Sequence, residues 1–412
     1  MYKENLAHNP LTYRLAVGCF FFIHGTVFSA WANRIPDIKR MLGLNDADWG
    51  TILFALPFGQ FTMMWLSGLL VAKFGSRNMA RCGLSIFPLI LILVSQVGSS
   101  TELFITLMAF GAMANLHNIS INTQAVDVEL IYGRSIMASF HGIWSVAGFC
   151  GGIISGILVS NHISPFIQFS GVAIFAYFIL FFISPFLLSR DIQPKMPHDE
   201  EDKKPRGFLH PTPLIFVLGF TAFGSMSCEG IMFDWSVIYF ENIVHAPIDM
   251  IHTGYIAFML TMASGRFVGD RLIMRFGAMN VLGFSGLVIF CGMMSAVLFP
   301  GVLTATIGFL MVGAGVSSVV PTCYSMAGRS RRMKASIAIA TVSTIGFLGF
   351  LMGPPLIGYV AYLSNLRISF AIMACIGLLV TLLSHSKPLQ EAATGVYSDS
   401  EEVEKELLSA SK

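Results

Sequence analysis

Apolar residues fill twelve long stretches of the chain, and polar residues are concentrated in the short segments between them. A helix that crosses a membrane needs about 20 mostly apolar residues. Because lipid offers no partner for backbone N–H and C=O groups, each stretch is predicted to be a helix. The pattern therefore predicts an all-α integral membrane protein with 12 transmembrane helices. The predicted spans are 11–33, 47–72, 78–98, 102–126, 138–160, 165–188, 212–240, 249–272, 278–299, 302–326, 335–362 and 366–384.

Local sequence signals agree with these boundaries. Asn45 or Asp46 is suited to cap the second helix. Pro165 stands at the start of the sixth, where its missing N–H costs least. Inside the eleventh helix, the run Gly353-Pro354-Pro355 is expected to free backbone carbonyls and to kink the helix.

Charge sets the orientation. Only 12% of the 412 residues are charged, against about 25% in soluble proteins. If both termini are cytoplasmic, all but four of the 25 Lys and Arg residues fall on the cytoplasmic side, as the positive-inside rule requires. The four exceptions are Arg34, Lys39, Arg40 and Arg367. We therefore predict a multi-pass protein of a bacterial inner membrane, with both termini cytoplasmic.

The two halves of the chain resemble each other at a nearly constant offset. Trp31 matches Trp235, Gly50 matches Gly254, and the run 73–75 (KFG) matches 275–277 (RFG). The predicted organisation is an N-terminal six-helix bundle, a cytoplasmic linker, a C-terminal six-helix bundle and an acidic cytoplasmic tail. Two similar halves that face each other across a central site are the physical basis of alternating access. The boundaries are 1–188, 189–211, 212–386 and 387–412.

Two acidic residues lie inside the seventh span. A charge there costs about 2.5–3.5 kcal/mol on insertion scales, so it needs a function or a partner. Glu229 falls near the middle, where a carboxyl group suits proton uptake and release; the alternative is a structural hydrogen bond between helices. Asp234 lies nearer the outer boundary, and is either a second proton-coupling residue or a boundary charge paired with Arg34 or Lys39.

The fourth span carries a polar face. Asn115, Asn118 and Asn122 recur at helical spacing, and Gln124 follows. Because amides both donate and accept hydrogen bonds, as sugar hydroxyls do, this face is a candidate substrate-binding wall. Amide bonds between helices are the alternative.

Two further residues are substrate-binding candidates. His24 lies midway along the first span, and the alternative is a packed core histidine. Trp144, in the fifth span, is able to stack on a sugar ring. For Trp31 and Trp235, near the outer boundary, anchoring at the membrane interface is the expected role.

The loop after the second span and the loop after the eighth carry related runs, 68–77 (GLLVAKFGSR) and 265–277 (GRFVGDRLIMRFG). Both resemble the loop signature of the major facilitator superfamily, and the resemblance extends over essentially the whole chain. It implies that these loops connect the two halves on the cytoplasmic side. The first copy has Ala72 where the family has Asp. The implied gating residues are Lys73, Arg77, Asp270, Arg271 and Arg275.

Four other runs resemble one branch of that superfamily, the fucose-permease-like and rhizopine-transporter-like proteins. They are 31–39 (WANRIPDIK), 122–129 (NTQAVDVE), 139–145 (SFHGIWS) and 229–236 (EGIMFDWS). The resemblance implies uptake of a sugar, polyol or derivative, with a proton as the coupling ion. Arg34 and Asp37, in the first run, are further gating candidates.

Other functions fit less well. A proton-coupled exporter of amphipathic compounds is the main alternative, although exporters usually carry a Gly-Pro motif in the fifth helix and this chain does not. An enzyme would need clustered carboxylates, a metal constellation or a Ser/His pair at useful spacing, so we predict no enzyme, no cofactor and no metal. The expected partners are a small-molecule solute, a proton and the lipid bilayer, without nucleic acid, and the protein is expected to be a monomer.

Overall fold

A computed structural model describes residues 9–132, 136–189, 212–328 and 335–394. Every predicted span corresponds there to a helix or to consecutive helices. The α-helices are α1 Pro10–Asn33, α2 Ile35–Met41, α3 Asp46–Leu53, α4 Ala55–Phe74, α5 Ser76–Val94, α6 Ser100–Tyr132, α7 Met137–Ser160, α8 Pro165–Phe178, α9 Pro213–Asn242, α10 Thr253–Phe276, α11 Ala278–Leu298, α12 Val302–Gly328, α13 Ala335–Leu363, α14 Leu366–Ser384 and α15 Lys387–Thr394.

Ten of these helices are long and apolar enough to cross a membrane, and the bent second span makes an eleventh. The remaining predicted span is α10, which is 24 residues long but contains Arg266, Asp270, Arg271 and Arg275. Twelve spans are thus reached only if a helix with several charged residues is counted. The predicted linker lies outside the described residues except at its first residue, and the predicted tail lies outside them beyond α15.

The largest differences between the predicted and the observed helices are in three spans. The second span divides at Phe54 into α3 and α4, and the Asn45 side chain caps α3 by accepting a hydrogen bond from the Asp48 N–H at 2.9 Å. The fourth span continues to Tyr132. The sixth leaves α-helical geometry after Phe178, passing through a π-helical turn and a 3₁₀ turn that contains Pro185.

Glycines bring helices of the second half into close contact. A Cβ at Gly353 of α13 would lie 3.2 Å from the Ser227 carbonyl oxygen of α9. Nearby, the indole N–H of Trp235 donates to the Pro354 carbonyl oxygen at 3.1 Å. Pro354 and Pro355 stay within α13, so this helix continues through both prolines against α9.

The two halves meet at the end of the bundle where α1 and α9 end, here called the closed end. There α3 crosses α13 so closely that a Cβ at Gly50 would lie 2.9 Å from the Gly358 Cα atom. The Thr51 and Tyr359 hydroxyl oxygens are 2.8 Å apart at the same crossing. The His252 ring Nε2 lies 2.9 Å from the Asn33 carbonyl oxygen, which adds a polar contact between the halves.

A second seam joins α7 to α10 in antiparallel fashion. Gly156 lies opposite His252, and Gly152 lies opposite Tyr255 and Ile256. Further along, Gly142 meets the Phe267 ring. Small residues on α7 therefore let the two halves approach closely over about 14 residues, or roughly 20 Å of helix at 1.5 Å per residue.

The expectation for Trp31 and Trp235 is wrong: both side chains are fully buried. Trp31 packs on Trp49, with ring centroids 6.2 Å apart, and Lys39 lies over the Trp235 ring. Other helices pack against the two positions that the sequence assigned to the membrane interface. The indoles therefore stabilise the closed end from inside the protein.

Candidate functional site

Glu229 forms an ion pair with Arg266 midway along the helices of the second half. Glu229 is on α9, Arg266 is on α10, and the Arg266 Nη2 atom lies 3.2 Å from the Glu229 Oε1 atom. The Arg266 Nη1 atom donates to the Ser145 hydroxyl oxygen on α7 at 2.9 Å. The side chains of Glu229 and Arg266 are 15% and 21% exposed, so both charges remain accessible. One guanidinium thus connects the acid to the other half of the protein.

The orientation count placed Arg266 among the cytoplasmic cations, and this placement is wrong. Arg266 lies thirteen residues beyond the first residue of α10, well inside the helix. The sequence does carry a signal for this position. α10 contains four charged residues, which makes it less apolar than the other predicted spans. A buried charge inside a span is expected to have a partner, and Glu229 is that partner.

An aromatic cluster lies on the closed-end side of this ion pair, one helical turn from Glu229. Phe28 of α1 and Trp144 of α7 meet Phe233 of α9 with ring centroids 5.3 and 6.0 Å away. Phe233 also packs on Phe258 of α10 at 5.6 Å. Rings from both halves therefore meet one helical turn from Glu229, and Trp144 directly precedes Ser145, the residue that Arg266 contacts.

His24 lies apart from this cluster, inside the first half. Its Nδ1 atom is 2.9 Å from the Nδ1 atom of His117 on α6, and the two rings stack. His117 is fully buried, and its Nε2 atom has no hydrogen-bond partner among the described residues. Helical spacing puts His117 on a different side of α6 from the asparagines. No pattern in the sequence predicts the histidine pair.

The asparagines of α6 keep an accessible face. Asn118 is exposed, and Asn122 is half-buried and donates to the Asn118 side-chain oxygen at 3.0 Å. Asn115 is half-buried, and its side-chain oxygen has no partner within the described part of the chain. Asn118 and Asn122 thus form an accessible polar surface, whereas the unpartnered oxygen of Asn115 is buried beside it.

Gln124 lies elsewhere on α6. It is fully buried and donates to the Ser76 hydroxyl oxygen at 2.6 Å. Its amide also exchanges hydrogen bonds with the backbone of Leu188 at 2.9 and 3.1 Å. The structure thus groups Gln124 with the ends of the third and sixth spans rather than with the asparagines.

Asp234 is buried on α9, beside Tyr255. The suggested pairing with Arg34 or Lys39 is not formed. Among the described residues Arg34 pairs with Asp37, Lys39 pairs with Asp46, and Asp234 has no ion-pair partner.

Arg34 and Asp37 belong to a polar network at the closed end. The Arg34 guanidinium is buried and donates to Asp37 at 2.7 Å, to the Gln168 side chain at 2.6 Å and to the Ile163 carbonyl oxygen at 2.7 Å. Asp37 also accepts from Arg40, and Arg40 forms an ion pair with Glu241 of α9. Within this network, the ion pair between the halves is therefore made by Arg40, one turn beyond the predicted pair.

The loop cations of the signature are placed differently. Arg77 donates to the Pro185 carbonyl oxygen at 2.8 Å, which connects two spans of the same half. Lys73 and Arg275 each lie over the following phenylalanine ring. Arg271 is exposed, and the side chain of Asp270 lies outside the described residues. Within the described part of the chain, these cations make no ion pair across the halves.

Comparison with known proteins decides the family. A model of the Major Facilitator Superfamily matches residues 16–333 and 215–409. The chain belongs to this superfamily. It is a multi-pass membrane transporter, and not an enzyme.

Curated relatives cover nearly the whole chain. An uncharacterized MFS-type transporter of Yersinia pestis is 33% identical over 89% of this chain and 92% of its own length. Membrane protein MosC of Rhizobium meliloti is 29% identical over 90% of this chain and 88% of its own length.

Solved structures share the superfamily fold at low identity. A mutant form of the nucleoside transporter NupG has a TM-score of 0.73 at 14% identity, over 90% of this chain and 98% of its own. A D-xylose-proton symporter has a TM-score of 0.70 at 14% identity, over 91% and 97%. At this identity the likeness establishes the fold alone.

Proposed function

We propose that this transporter takes up a small polar solute, a sugar, polyol or derivative, together with a proton, and that it acts as a monomer in a bacterial inner membrane. The observation that carries the proposal is the Glu229–Arg266 ion pair, which lies midway along α9 and α10 and reaches Ser145 of the other half. A titratable acid at the contact between two halves links a proton to their relative position.

The polar surface of α6 supports a hydroxylated solute. Asn115, Asn118 and Asn122 offer donors and acceptors, and Trp144 offers a ring face near the ion pair. Bacterial relatives and the named sugar and nucleoside transporters are consistent with a small solute.

With both termini cytoplasmic, the closed end faces the cell exterior. The solute then reaches the Glu229 level from the cytoplasmic side in this state. Separation of α3 from α13 and of α7 from α10 would admit it from outside. We propose that this rocking motion is the transport cycle, with Arg34, Asp37 and Arg40 acting at the outer gate.

Uptake into proteoliposomes tests the proposal. A thermal-shift screen of sugars, polyols and their acid and amino derivatives selects the solute, and its radiolabelled form is then followed under an imposed pH gradient. The expected result is accumulation that collapses when a protonophore dissipates the gradient. Accumulation that is unaffected by the protonophore would remove the proton from the proposal, and gradient-driven efflux would favour the exporter.

A further inference from the structure

We propose that Arg266 binds an anionic group of the transported solute, and that this group replaces Glu229 as the partner of Arg266 when Glu229 takes up a proton. The inference rests on the proposed function and names its solute class: a small hydroxylated molecule that carries one carboxylate.

The first step is a charge balance. Arg266 carries a guanidinium, a positively charged group, midway along α10. Glu229 neutralises it when ionised. A protonated Glu229 leaves that positive charge uncompensated, and an uncompensated charge inside a span is unfavourable. Proton uptake by Glu229 therefore favours the arrival of another anion at Arg266.

The second step is the geometry of the guanidinium. Arg266 uses one N–H toward Glu229 and one toward Ser145, whereas a guanidinium has five N–H donors in a planar fork. Within the described residues, its Nε atom has no partner. The Ser145 hydroxyl itself donates to the His141 carbonyl oxygen, which fixes Ser145 in place. Arg266 thus retains donors suited to the two oxygens of a carboxylate.

The third step concerns the groups around the pair. On the described elements that pack nearby, Tyr324 of α12 donates to the Ser343 hydroxyl oxygen, and His141 of α7 lies close to Arg266. Neither supplies a negative charge. Asp234 is five residues along α9 and lies beside Tyr255, on the closed-end side. Glu229 is thus the acid paired with Arg266 in this part of the protein.

Exposure allows the exchange. Arg266 is 21% exposed and Glu229 15% exposed, so neither charge is sealed from a bound solute. Trp144 and Phe233 pack on each other on the closed-end side of the pair, where we expect bound solute to meet these rings. Uptake of the proton and of the anion together leaves the site electrically neutral, so the two are bound and released as a pair.

A matched set of three probes tests the solute class. Gluconate, sorbitol and glucamine share a six-carbon hydroxylated chain and carry a negative, a neutral and a positive end. Binding is measured by titration calorimetry on the full-length purified protein. In Glu229→Gln, which imitates the protonated acid, gluconate is expected to bind at least about tenfold more tightly than the other two, independently of pH. In wild type, gluconate binding is expected to strengthen as pH falls.

Arg266→Gln is expected to remove the preference for gluconate, and Arg266→Lys to keep part of it. The inference is overturned if sorbitol or glucamine binds Glu229→Gln as tightly as gluconate does. It is also overturned if Arg266→Gln keeps the preference.

A second measurement covers the case in which the six-carbon probes do not fit. Glu229→Ala leaves Arg266 without its carboxylate, so acetate is expected to raise the melting temperature of this variant more than acetamide does. The difference should vanish in Glu229→Ala/Arg266→Gln. Equal effects of acetate and acetamide on Glu229→Ala would overturn the inference. The inference and the proposed function fail separately. Proton-driven transport of a neutral solute would contradict the inference but support the proposed function. Anion binding at Arg266 without any transport would support the inference and refute the proposed function.

Discussion

The Nδ1 atoms of His24 and His117 lie 2.9 Å apart in the interior of the first half. His24 stacks on Phe87 at 5.4 Å and His117 on Phe20 at 5.8 Å. One ring must donate and the other accept, so at least one histidine is neutral. The histidine pair therefore holds α1 against α6, the helix that carries the three asparagines.

The histidine pair predicts non-additive stability. His24→Ala and His117→Ala should each lower the free energy of unfolding by about 1–3 kcal/mol, because each leaves a buried nitrogen unpaired. The double variant should lose less than the sum of the two. Reversible unfolding of the purified protein measures the cycle. If the two single losses of stability add up to that of the double variant, the contact between the rings contributes nothing. If His24→Ala instead weakens solute affinity at unchanged stability, His24 is a binding residue.

The crossing of α3 and α13 predicts a conformational effect. A Cβ at Gly358 would lie 2.6 Å from the Gly50 Cα atom and 2.5 Å from the Asp46 carbonyl oxygen. Gly358→Ala should therefore weaken closure and shift the population toward separation of this end. Spin labels at positions 48 and 363 report the distance. The control is Gly171→Ala, because a Cβ at Gly171 meets nothing within 4 Å. An unchanged distance distribution in Gly358→Ala would contradict the assignment.

The Arg40–Glu241 ion pair predicts a charge-dependent gate. The two side chains are 53% and 24% exposed, so the pair should contribute only about 0.2–1 kcal/mol, and less in high salt. Glu241→Arg should open the closed end, and addition of Arg40→Glu should partly reverse the opening. The reversal is partial because Arg40 also pairs with Asp37. The same label pair measures both variants, and a failure of the second substitution to reverse the first would remove this contact from the gate.

Two side chains of α6 predict opposite phenotypes. Asn122→Ala should weaken solute affinity about two- to thirteenfold without loss of stability, since its amide lies on the accessible polar surface and one hydrogen bond contributes about 0.5–1.5 kcal/mol. Gln124→Ala should lower stability and leave the affinity of the folded protein unchanged, because its amide is occupied by Ser76 and Leu188. Titration calorimetry and thermal unfolding separate the two effects. An exchange of the two phenotypes would place Gln124, and not Asn122, in the binding site.

Sequence predicted the architecture well because a lipid-embedded backbone has few options. Local chemistry predicts the long apolar stretches, the helix start at Pro165 and the cap at Asn45. The observed helices confirm these predictions. Burial of Trp31 and Trp235 was not predictable in this way, because it depends on which helices pack against the ends of α1 and α9.

The candidate site was predicted only in part. Glu229 could be identified as a candidate from the sequence, because a charged residue inside a span is rare. Its partner Arg266 could not, because it lies in the run 265–277, which resembles a cytoplasmic loop signature and was counted with that side. Likewise, His24 was visible and its contact with His117 was not, since the pair joins residues 93 positions apart.

The most direct test of a proton-coupled carrier at Glu229 compares two modes of transport in the same proteoliposomes. Accumulation under a pH gradient needs a group that takes up and releases the proton, whereas solute exchange at equal pH does not. Glu229→Gln is expected to exchange solute at a rate near that of wild type and to lose gradient-driven accumulation. Undiminished accumulation by Glu229→Gln would contradict the account.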